Sequence, residues 1–151
     1  VRLCVTGDAD HPVRPSGDGA VACIAAALAR AGVEPAAVAH VNAHGTGTVT
    51  NDAVEAAAIA RVCGSLRPPV TSIKRVTGHG VGAAGALEAV VALRSMAEAM
   101  IPPTGIDPEP DAAIDADVVW GGPRPWVPGP VLSTSFGIGG LNAAVVLLPP
   151  P

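Results

Sequence analysis

The sequence predicts an α/β domain, a mixed β-sheet with helices packed on it. Three observations carry that expectation. Helix-like stretches rich in Ala and Leu alternate with short β-branched runs, as in α/β chains. The first two helical stretches each stop at a glycine, Gly32 and Gly64, the residue that most readily closes a helix. Two β-rich runs flank a glycine cluster near the end of the chain, which adds an antiparallel pair to the order β-α-β-α-β-α-β-β-β.

The elements follow in chain order. Residues 1–5 read as a strand, and residues 7–19 as a loop marked by His11-Pro12 and Pro15-Ser16-Gly17. A helix is expected over 18–31 and a buried strand over 38–43. After the tight loop 44–48, Thr50 or Asn51 is placed to cap a helix over 52–62. A strand over 70–73 follows a proline pair. The longest helix is expected over 82–100, stopped by Pro102 and Pro103. An acidic, proline-rich connection, an edge strand over 118–120 and a proline-rich loop over 121–130 lead to strands at 131–136 and 142–148.

Composition narrows the function classes. The 151 residues suit a single domain, 1–151, with one moderate core. Hydrophobic residues make up 49% and charged residues 15%, too apolar for a disordered chain. The richest apolar stretch, 81–100, is broken by Glu88, Arg94 and Glu98, so no membrane span is expected. Net charge is −4 and the few cations are scattered, which excludes a nucleic-acid footprint. The chain does not begin with Met and shows no secretory leader, so it is expected to start inside a longer gene product. Three cysteines without CxxC spacing predict neither a disulfide framework nor a zinc site, and a reducing, cytoplasmic setting is expected.

Three constellations hold residues with chemistry. In Val41-Asn42-Ala43-His44-Gly45-Thr46-Gly47-Thr48, a histidine follows a buried strand inside a turn of small residues. The glycines let a substrate approach the backbone, and two threonines offer hydroxyls near the imidazole. In the second, a strand ends in Lys74, the only lysine, and His79 precedes a Gly/Ala-rich helix. The third, Ser133 to Asn142, runs a strand into Gly137-Ile138-Gly139-Gly140, a loop suited to present backbone N–H groups to an oxyanion or simply to turn a hairpin.

Together these motifs, with Asn51, Asp52, Glu55 and Ile101-Pro102-Pro103-Thr104 between them, resemble the β-ketoacyl synthases of the thiolase-like superfamily, the elongating type with a Cys-His-His triad. The resemblance covers almost the whole chain, in the family's order, and corresponds to the carboxy-terminal half. It implies a thiolase-like half-domain that needs the amino-terminal half to complete a five-layer αβαβα architecture. It implies decarboxylative condensation of an acyl thioester with malonyl-ACP in fatty-acid or polyketide synthesis. His44 and His79 would promote decarboxylation and hydrogen-bond the enolate. Lys74 would order the histidines through an acidic partner, Glu55 first and Asp52 second. Thr46 and Thr48 would hold the phosphopantetheine arm, and Phe136, Gly137 and Ile138 would line the substrate site, with the Ile138 N–H in the oxyanion hole.

The resemblance also implies an acyl carrier protein as partner, no cofactor consumed, and a homodimer or heterodimer of complete ketosynthase units. Ile138 stands where the family often has an aromatic gate, and His11, after Asp8, stands where the family often has a histidine. The nucleophilic cysteine belongs to the amino-terminal half. Cys4, Cys23 and Cys63 lack its strand-to-helix elbow, so a partner segment is expected to supply it. The alternative is a non-catalytic chain-length-factor-like subunit; retention of His44, Lys74 and His79 together argues against that.

Overall fold

The computed structural model describes residues 1–7, 17–107 and 110–150; Asp8 and His11 lie outside them. A six-stranded mixed sheet forms the centre, ordered β1(Arg2–Gly7), β8(Leu141–Leu147), β7(Val131–Gly137), β2(His40–Asn42), β3(Pro69–Thr71), β5(Asp117–Val118). The last four of that order, β7, β2, β3 and β5, run parallel, and β8 lies antiparallel between β7 and β1. The mixed sheet and its antiparallel end match the expectation from sequence.

Helices α1(Gly17–Ala31) and α2(Val49–Cys63) cover one face. The stripe Ala20, Cys23, Ile24, Ala27 and Leu28 recurs at helical spacing and is wholly buried against Cys4, Val41, Leu132, Ala144 and Val146. The chain then makes a single turn of helix, α3(Lys74–Thr77), before α4(Ala84–Glu98). Helix α4 covers the opposite face, where Ala92 and Met96 meet Val131 and Leu147, with Trp126 beside them. Neighbouring residues of β7 thus enter different cores: Leu132 joins the α1/α2 side and Val131 the α4 side, the period-two rule of a strand buried on both faces. Among the described residues no helix is long and apolar enough to cross a membrane.

Several boundaries differ from the sequence expectation. Helix α2 starts at Val49 because the Thr48 hydroxyl, not Thr50 or Asn51, caps it by accepting the Asn51 N–H. The strand before Lys74 ends at Thr71, so Lys74 opens α3 rather than closing a strand. A 3-10 turn over Val81–Ala83 precedes α4, and left-handed Ala99 ends it, releasing β4(Met100–Ile101) to pair with β6(Arg124–Pro125) inside the expected loop 121–130.

His40 opens β2 beneath the α4 side, edge-on to Trp126 with ring centroids 5.6 Å apart. Both its nitrogens are buried without a partner among the described residues, and burial lowers its pKa from 6.5 to about 4. The unfolded chain therefore takes up a proton between those values that the folded chain excludes. Stability is full above pH 6.5 and declines as pH falls towards about 4. Urea-denaturation midpoints measured across that range should show the decline, and His40→Phe should flatten it; an unchanged slope in the variant would contradict the buried neutral imidazole.

Candidate active site

The carboxy ends of β7, β2 and β3 lie side by side, and each leads into one of the three sequence motifs. That is where open parallel sheets place their sites. His44 follows β2 and is 6% exposed. His79 lies between α3 and α4, and its ring meets that of His44 edge-on at 5.3 Å. Phe136, near the end of β7, closes the other side of His44 at 6.2 Å.

The loop carrying His44 is held by a buried carboxylate. Glu55, on α2 and 2% exposed, accepts the N–H of His44 at Oε1 and of Gly45 at Oε2, each at 2.8 Å. The Thr134 hydroxyl donates to the same Oε1 at 2.6 Å, and the Asn51 side-chain amide reaches Oε2 at 3.4 Å. Burial raises the Glu55 pKa, while the N–H groups of Gly45 and His44 and the Thr134 hydroxyl pull it back down. A carboxylate facing four donors is matched to its ionised form.

Lys74 is also buried. Its ammonium donates to the His44 carbonyl at 2.5 Å and pairs with Glu88, which points from α4. This corrects the expected pairing: the acidic partner of Lys74 is Glu88, and Glu55 is occupied with backbone N–H groups. Asp52 accepts from Asn51 at 3.1 Å and lines the cleft without a described bond to Lys74. Sequence reasoning missed Glu88, although a signal was there. With Ala84, Ala92, Ser95 and Met96 it lies on the buried stripe of α4, so a carboxylate falls where the period calls for an apolar residue.

The two histidines are electrostatically distinct. Burial, with the nearby positive charge of Lys74 and then His79, lowers the His44 pKa to about 4, so it is neutral at pH 7. The exposed His79 accepts the Val81 N–H at Nδ1, 3.1 Å away. A neutral His79 therefore carries its proton on Nε2.

Thr46 and Thr48 share a hydrogen bond of 2.9 Å between their hydroxyls at the rim of a cleft of about 570 Å³, which His79, Lys74 and Asp52 also line. Gly137 and Ile138 begin the β7–β8 turn, where Ile138 is 79% exposed and Gly139 and Gly140 take positive φ. That conformation requires glycine and turns the chain in three residues. Cys4, Cys23 and Cys63 are buried free thiols; burial pushes Cys23 up to about 11 and raises Cys63 as well, the opposite of an activated nucleophile.

The chain matches the family described as "Beta-ketoacyl synthase, C-terminal domain" over residues 3–105. It is 41% identical over 147 residues to a 3-oxoacyl-[acyl-carrier-protein] synthase 2 of Mycobacterium bovis, covering 93% of this chain and 34% of that relative. It superposes on the ishigamide ketosynthase/chain length factor with a TM-score of 0.94 and 36% identity, covering 99% of this chain and 37% of that one. A type II polyketide ketosynthase, solved with its acyl-carrier protein and bound to the hexaketide, gives a TM-score of 0.92 and 29% identity over 99% of this chain and 38% of that one. The chain spans about a third of the length of the curated relatives it matches.

The corrected pairing has a measurable consequence. Removing Glu88 leaves a buried ammonium without its counter-charge, so Glu88→Ala should destabilise the protein by about 3–5 kcal/mol. A double-mutant cycle read by denaturation should give strong Lys74–Glu88 coupling and weak Lys74–Glu55 coupling; the reverse ranking would contradict the pairing.

Proposed function

The chain belongs to the β-ketoacyl synthase family, whose carboxy-terminal domain it carries, and from that premise we propose that it supplies the two histidines of a decarboxylative condensation. The observation that carries the reading is the His44–His79 pair at the strand ends, His44 held neutral and His79 with its Nδ1 occupied by the Val81 N–H. Neutral imidazoles that donate N–H suit an oxygen on which negative charge develops.

In the proposed reaction the C–C bond between the malonyl α-carbon and its carboxylate breaks, and CO2 leaves. The electron pair passes into an enolate whose oxygen accepts from His44 and His79. The α-carbon then attacks the carbonyl of an acyl group held as a cysteine thioester, and the tetrahedral oxyanion accepts from the Ile138 N–H and the N–H of the nucleophile. A C–C bond forms, the cysteine thiolate leaves, and a 3-oxoacyl thioester remains. Thr46 and Thr48 hold the phosphopantetheine arm of an acyl carrier protein, Phe136 and Gly137 line the substrate site, and no cofactor is consumed.

The nucleophilic cysteine comes from an amino-terminal half that completes the five-layer architecture around domain 1–151, in a dimer of complete units. The three buried free thiols fit a reducing, cytoplasmic setting.

In the complete enzyme, His44→Ala and His79→Ala should each lower malonyl-thioester decarboxylation by about 10²–10³-fold, the usual effect of removing one oxyanion donor. Acyl transfer to the cysteine should survive both changes. Full decarboxylation by either variant would overturn the assignment.

A further inference from the structure

The loop that presents His44 has an unusual property: all four backbone polar groups of His44 and Gly45 are bonded to side chains. Glu55 takes the two N–H groups, and Lys74 donates to the His44 carbonyl. The fourth group, the Gly45 carbonyl, accepts from the Ser72 hydroxyl at 2.8 Å. Ser72 is therefore the fixing point on the side of the loop that leads on to Thr46 and Thr48.

We propose that Ser72 is a positioning residue for the proposed condensation, which locks the Gly45–Thr46 peptide and through it the orientation of His44. The inference rests on the functional reading above. Contact geometry supports it as well as the hydrogen bond. Gly45 has φ +42°, and a Cβ there would lie 2.4 Å from the Ser72 Cβ, so the backbone passes directly against this side chain. A side chain larger than hydrogen at 45 is incompatible with the observed loop while Ser72 stays where it is.

Ser72 is itself braced. It is buried, and its N–H donates to the Thr104 hydroxyl at 3.1 Å. The preceding Thr71 donates to the Pro102 carbonyl at 2.9 Å. The return segment 102–104, far from the histidines in sequence, thus backs the end of β3 and holds Ser72 against the loop. Losing the hydroxyl frees one peptide plane and leaves Glu55 and Lys74 in place, so the change is local. His44 then gains water and loses its fixed aim.

The test uses the complete enzyme and two partial reactions, acyl transfer to the nucleophile and malonyl-thioester decarboxylation. Ser72→Ala should lower the kcat of decarboxylation by about 10–100-fold, as small misplacements of reacting groups do, with KM and acyl transfer held. The acid limb of the decarboxylation pH profile should move upwards, because a rehydrated His44 rises from about 4 towards its ordinary 6.5. Wild-type kcat with an unmoved acid limb would overturn the inference, as would a parallel loss of both partial reactions, which marks a general folding role. A wild-type enzyme that transfers acyl groups without decarboxylating would overturn the functional reading, and this inference with it.

Discussion

Burying a carboxylate costs far more than a hydrogen bond returns unless several donors surround it. Glu55 is buried on α2, and its donors come from the loop after β2, from β7 and from its own helix. None of these pieces can withdraw without leaving charge or a donor unpaired in the interior. The helix, the sheet and the histidine loop are therefore set relative to one another by one side chain. The sharp turn at Gly45 follows from it, since both N–H groups must point at the same carboxylate.

A buried charge pair works from the other side. Lys74 reaches the His44 carbonyl while Glu88 neutralises it from α4. Replacing such a pair with apolar residues is often neutral for stability, so its value here lies in placement and field. A positive charge close to His44 helps to keep that imidazole uncharged. The apolar wall of Phe136 removes water from the same ring. The site thus prepares a donor of N–H groups rather than a proton acid, before any substrate arrives.

The sheet and its helices were legible because the alternation of helical and β-branched stretches is local, and local patterns survive in sequence. What stayed hidden was long-range or short. The β4–β6 pairing uses two residues a side, too few for any period. Thr134 meets Glu55 across 79 positions, and only the placement of β7 beside β2 reveals it. The motifs singled out candidate residues, and the resemblance implied roles for them. The wiring between Lys74, Glu88 and Glu55 needed coordinates, because the sequence pointed to Glu55 and then Asp52 as the partner of Lys74, and only the packing of α4 brings Glu88 to it.

The architecture around His44 holds its imidazole neutral. Imidazole nitrogen NMR on the complete enzyme, selectively labelled at histidine and titrated, measures that state directly. The account predicts that His44 remains uncharged at pH 6 and that neutral His79 carries its proton on Nε2. A His44 that is charged at pH 6, or a neutral His79 protonated on Nδ1, would contradict it.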